Sequence, residues 1–191
     1  MPRVGRETRE RIVAAATRLF YDEGIRAVSM DAVAEKAGVS KKTLYYHFAS
    51  KGDLIAATIE GRDQPTLELY ARWLAETDGT VGDKVRGLFA KLGRSMNTPR
   101  WRGCGFLRTT AELASTPGHA AVMAGAAHKR RFEAWLDQAL RDHGLADAPT
   151  LARQIVILLD GAATEMLIHR DAAYVEAAGK LAGALVDAAS S

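Results

Sequence analysis

Seven side chains within positions 41–51, namely Lys41, Lys42, Thr43, Tyr45, Tyr46, His47 and Lys51, supply ammonium groups, hydroxyls, an imidazole and aromatic faces. Lysines at the start of a helix can reach base-edge acceptors or phosphates. Thr43 and Tyr45 offer hydroxyls to a phosphate and apolar faces to a thymine methyl. Tyr46, His47 and Lys51 can hold the flanking backbone, and Ser29 can share its hydroxyl and the free amides of a helix start with a phosphate. Arg3 and Arg6, read as an N-terminal arm, can enter an adjacent minor groove. This set suits non-covalent reading of a nucleic-acid duplex.

Such contacts require a short, rigid reader, and the surrounding pattern supplies one. From Arg6 to Glu23, Ile12, Ala15, Ala16, Leu19 and Phe20 recur at helical spacing, and Gly24 ends the run. Ser29 is placed to cap a helix ending at Ala37, and Ser40 to cap another from Lys41 to about Phe48. A helix-turn-helix needs a small residue at the crossing, here Ala34, and one tolerant of positive φ in the turn, here Gly38. Val33, Val39, Leu44 and Phe48 then bury against Ile12, Leu19 and Phe20, which turns the polar residues outward. Residues 1–51 carry ten Lys/Arg against six Asp/Glu, whereas the other 140 carry sixteen against seventeen. The excess positive charge thus coincides with the reader, as contact with a polyanion would need.

Downstream, Ser50 and Asp53 form a capping-box pattern that opens a long helix running past Pro65, where a kink is expected, towards Glu76. Further helices are predicted over 81–97, 103–115, 118–143, 149–170 and 172–188. The fold class is therefore all-α with about nine helices. A three-helix helix-turn-helix domain spans 1–50 and a helical bundle spans 51–191. Ala177, Gly179, Ala182 and Gly183 interleave with apolar residues near the end of the chain, which suits close approach of a second subunit.

Residues 6–55 resemble the DNA-binding region of the TetR family of transcriptional regulators. The resemblance lies in Ala15-Ala16 and Leu19-Phe20, Gly24, Val33-Ala-Glu-Lys-Ala-Gly-Val-Ser40, Thr43-Leu-Tyr-Tyr-His-Phe48 and Ser50-Lys51, about a quarter of the chain. It implies that Lys41, Lys42, Thr43, Tyr45, Tyr46, His47 and Lys51 occupy DNA-contacting positions. It also implies a homodimer, formed through about 150–188, that reads a palindromic operator in double-stranded DNA and is released by a small-molecule effector. Lys42 stands at a variable position of the motif, so the operator sequence does not follow.

The effector pocket is expected among Trp73, Phe89, Met96, Trp101, Cys104, Phe106, Thr110, Met123, Phe132, Trp135, Ile157 and Asp160. That mixture suits a medium-sized, largely apolar ligand with few polar anchors. Arg100-Trp-Arg-Gly-Cys-Gly-Phe106 resembles a Gly-Cys-x-Phe stretch found in part of the family. An alternative makes Cys104 a redox sensor, activated by Arg100, Arg102, Arg108 and a helix start.

Other classes are disfavoured. A single cysteine excludes an internal disulfide and a multi-cysteine metal site. The longest strongly apolar run, Ile155 to Leu159, falls far short of the roughly 20 residues of a membrane span. The charged N-terminus lacks the apolar stretch of a signal peptide, so the cytoplasm is the expected compartment. Glu165 and His169 are one helical turn apart, but no H-E-x-x-H, G-x-S-x-G, Walker or Rossmann pattern accompanies them. No catalysis, cofactor, metal or membrane partner is expected.

Overall fold

The computed structural model describes residues 3–190. Among the described residues the chain is all-α, with nine helices and no strand. They are α1 (Arg3–Glu23), α2 (Met30–Ala37), α3 (Lys41–His47), α4 (Lys51–Ala75), α5 (Val81–Met96), α6 (Gly105–Glu112), α7 (Ala120–Asp142), α8 (Ala148–His169) and α9 (Ala173–Ala189). No helix among the described residues is long and apolar enough to cross a membrane.

The chain forms two compact units. The first comprises residues 1–64 and 105–128, the second residues 65–104 and 129–191. The expected border at residue 50 therefore falls inside the first unit. Leu54, Ile55, Ala56 and Ala57 of α4 and Ala121 of α7 share a core with Ile12, Ala16, Phe20, Val33, Leu44 and Phe48. In the second unit, Phe89, Leu92 and Met96 of α5 pack with Phe132 and Leu136 of α7, Ile155 and Met166 of α8, and Val175 and Ala182 of α9.

Three boundaries differ from the sequence reading. The segment read as an arm is helical from Arg3, so Arg6 does not extend into a groove. It is exposed and lies 3.7 Å from Glu10 one turn on, a pairing that helical geometry makes and an extended arm does not. The side chain of Arg3 lies outside the described residues. Pro65 leaves α4 unbroken, and the chain passes from the first unit to the second between Gln64 and Pro65. Helix α6 is shorter than 103–115, because Gly103 has φ +94° and Glu112 is the last helical residue.

Candidate nucleic-acid interface

Helices of seven and eight residues are too short to persist alone. Here each has its ends satisfied locally. Ser29, with extended backbone, accepts a hydrogen bond from Ala32 N at 3.1 Å. Gly38 takes a left-handed conformation, φ +63°, and two amides close back: Gly38 N to Glu35 O and Val39 N to Ala34 O, each 3.0 Å. A side chain at that φ would be strained, which is why glycine stands in the turn. Ser40 accepts from Thr43 N at 3.1 Å and starts α3. Ser50 accepts from Asp53 N at 3.1 Å and starts α4.

At about 100° per residue, Leu44 faces the opposite side of α3 from Lys42 and Tyr46. Leu44 is fully buried, while Lys41, Lys42, Tyr45 and Tyr46 are exposed, Tyr46 to 79%. These four form one outward arc. Thr43 and His47 lie on its flank, half-buried. Thr43 shares a 2.8 Å hydroxyl contact with Ser40, and Tyr46 meets the His47 ring edge-on at 5.2 Å. The Nδ1 atom of His47 is buried without a hydrogen-bond partner. Lys51, half-exposed, opens α4 directly after this arc.

Lys41 differs from its expected role as a free cation. Its ammonium donates to Asp31 of α2 at 3.0 Å, and that carboxylate raises the lysine's pKa above the ordinary 10.5. Both side chains are exposed, so an incoming phosphate can compete for Lys41. Lys42 has no ion-pair partner among the described residues.

The family model described as "Bacterial regulatory proteins, tetR family" matches residues 12–58. A TetR-family transcriptional regulator from Streptomyces coelicolor aligns over 95% of this chain and 94% of its own, with 30% identity and a TM-score of 0.78. The chain belongs to the TetR family. The HTH-type transcriptional regulator AcrR of Shigella flexneri is 34% identical over 96 residues, 50% of this chain and 45% of AcrR. TtgW of Pseudomonas putida, an HTH-type transcriptional regulator, is 39% identical over 64 residues, 34% of this chain and 47% of TtgW. The matched stretches thus span less than half of these curated relatives. Such TetR-family proteins are regulators, not enzymes.

One feature of this TetR-family chain had no signal in the sequence. Glu112, at the end of α6, accepts from Arg26 N at 2.8 Å and Ile25 N at 3.3 Å, in the turn between α1 and α2. The Arg26 guanidinium returns a bond to Glu112 O at 3.2 Å, and Arg108 donates to Tyr21 O at 3.0 Å. Helix α6 is thereby fastened to the end of α1. The partners are 86 and 87 residues apart in sequence, beyond any local pattern.

The twelve residues expected to line an effector pocket are divided between the units: Phe106, Thr110 and Met123 in the first, the other nine in the second. Phe89, Met96 and Phe132 are core, with Trp73, Trp101 and Trp135 packed against them. Phe106 stacks on buried His128 at 3.4 Å between ring centres, and His128 meets Asp63 at 2.6 Å. Thr110 turns its hydroxyl back to Phe106 O, and Asp160 pairs with Lys129. Met123 (61% exposed) and Ile157 (65% exposed) face solvent in the single chain rather than a cavity. Both lie on outward faces of amphipathic helices, a position that apolarity alone does not reveal. Cys104 is half-buried, and two of its expected activators are engaged elsewhere: Arg102 on Pro99 O and Arg108 on Tyr21 O.

Proposed function

We propose that the protein is a cytoplasmic, homodimeric repressor that reads a palindromic operator through α3 and is released by a small, largely apolar ligand. The outward arc of Lys41, Lys42, Tyr45 and Tyr46, backed by buried Leu44, carries this reading. It presents donors and aromatic faces on a helix rigid enough to enter a major groove. Ser29, Thr43, His47 and Lys51 flank the arc and serve as backbone contacts. With Nδ1 of His47 enclosed, a phosphate contact from this ring uses Nε2.

Exposed apolar residues support the dimer. Ile157 and Ile168 on α8, and Tyr174 and Leu181 on α9, face solvent in the single chain. Gly161 on α8 and Ala177 and Ala184 on α9 are exposed at matching helical spacings and give a second subunit room to approach. A two-fold axis then has to place the two α3 helices about 34–36 Å apart, one turn of DNA. Helix α4 belongs to both compact units, so a ligand that shifts its second half moves the helix that starts at Lys51. Coupling of about 1–3 kcal/mol changes operator affinity by roughly 5–150-fold.

Selection of bound fragments from random duplexes tests the reading, with sedimentation measured alongside. An inverted repeat bound by a dimer, with affinity falling steeply with salt at about −0.9 in log–log slope per phosphate contacted, is the expected result. A monomer with no preference for any inverted repeat over scrambled competitor overturns it.

A further inference from the structure

We infer that the groove between α5 and α9 is a binding site for an amphipathic monoanion, a medium-chain carboxylate. The two helices run antiparallel at close range because glycine permits it. A Cβ on Gly179 would fall 2.6 Å from Cβ of Phe89, and one on Gly93 would fall 3.3 Å from Val175. Beside this seam lies a groove of about 460 Å³ whose floor is largely carbon, from Phe89, Ala90, Gly93, Val175 and Gly179. Its size and apolar character are those of a small-molecule site.

The charges at its rim select the occupant. At one end Arg86 is spent on two carboxylates, Asp83 at 3.2 Å and Asp187. Lys180 pairs with Glu176 at 2.7 Å, so these two cancel. At the other end Arg94 and the side chain of Asn97 have no partner among the described residues. Ala172 at the start of α9 lines the same end, but the Ala173 amide is already taken by the Asp171 carboxylate at 2.9 Å, so the cationic group offered there is Arg94. The groove therefore holds one uncompensated cation, with carboxylates beyond its far end. A single anionic head belongs at Arg94 with an apolar tail along Ala90 and Phe89 towards Arg86. A dianion would set its second negative charge against the carboxylates at the far end. Eight residues of α5 separate Arg94 from Arg86, about 12 Å, long enough to accommodate an extended chain of about eight carbons.

This face of α9 is distinct from the stripe proposed for the dimer. Gly179 and Glu176 lie about 140–160° round the helix from Leu181. The inference does not rest on operator binding, because it is read on the free protein.

Calorimetric titration of the full chain with octanoate, and with 1-octanol as the uncharged control, provides the test. Saturable binding of one octanoate per chain is expected, with octanol weaker. Arg94→Glu should weaken octanoate about tenfold or more and leave octanol unchanged. Ala90→Trp, at an exposed position that leaves the core intact, should abolish both. No saturable octanoate binding to the wild type overturns the inference, as does binding indifferent to both variants. An effect of Ala90→Trp without one of Arg94→Glu removes the anion from the assignment. A change in sedimenting mass with Ala90→Trp, octanoate affinity unaltered, gives the groove to a second copy instead.

Discussion

Helices α2 and α3 are positioned by residues next to them, α5 and α9 by residues far away in the chain. Ser29, Gly38 and Ser40 each act on backbone groups within four positions. By contrast, Arg86 reaches Asp187 across 101 positions, and Gly179 matters only because Phe89 lies against it. The first arrangement places an exposed recognition arc through short-range rules of capping and turn conformation. The second creates grooves and seams whose shape depends on which distant helices meet. A functional surface of the first kind is legible in a sequence; one of the second kind is not.

The contrast can be broken at its core. Leu44→Ala empties the fully buried anchor of α3 and should cost about 2–5 kcal/mol in denaturant unfolding, with operator binding lost in parallel. Retained stability would mean that the caps hold α3 without its anchor. In the second unit, Gly179→Ala pushes a methyl into Phe89 and should cost about 1–3 kcal/mol, although alanine has the better helix propensity. A stabilised variant would show that propensity outweighs packing there.

Within the recognition arc, Lys42→Ala should weaken operator binding by about 1–3 kcal/mol and alter base preference. Lys51→Ala should weaken all sequences alike and lower the salt slope by about one. A Lys51→Ala effect confined to one base position would exchange their roles. Glu112→Ala tests the long-range fastening of α6: about 1–2 kcal/mol of stability should go as two backbone amides lose their acceptor. Amide exchange at Ile25 and Arg26 should quicken locally.

The smallest effect concerns a cap in the second unit. The Thr80 hydroxyl and backbone amide, with Arg86 adding a weaker pull, hold the Asp83 carboxyl below its ordinary 3.8. A carboxyl lowered on folding contributes stability above its unfolded pKa and loses it as pH falls through the folded value. Asp83→Asn should therefore melt below the wild type at neutral pH, with the gap closing under about pH 4. A gap that persists at pH 2 would assign the effect to something other than ionisation.

Particular residues show where sequence reasoning holds and stops. Ser50 and Asp53 form the predicted N-cap because both partners lie in one turn. Lys41 was legible as a cation but not as the partner of Asp31, because that pairing needs the angle at which α2 and α3 cross. Nothing local to Glu112 in the sequence marks its partners, which lie 86 and 87 positions away. Its place over Ile25 and Arg26 depends on α6 packing with the first unit rather than with the bundle. Met123 and Ile157 mislead for a related reason: an apolar side chain on a helix states a preference for burial without naming the surface that provides it.

The amino-acid order alone decided the helical class, the starts and stops of α2, α3 and α4, and the outward face of the recognition helix. Each follows from hydrogen bonds and side-chain spacing within a few residues, where chain connectivity sets the distances. Tertiary structure decided the border between the compact units, the tie from Glu112 to the first turn, and the groove beside Arg94. These depend on groups brought together from distant parts of the chain, and only the completed packing of helices sets their separation.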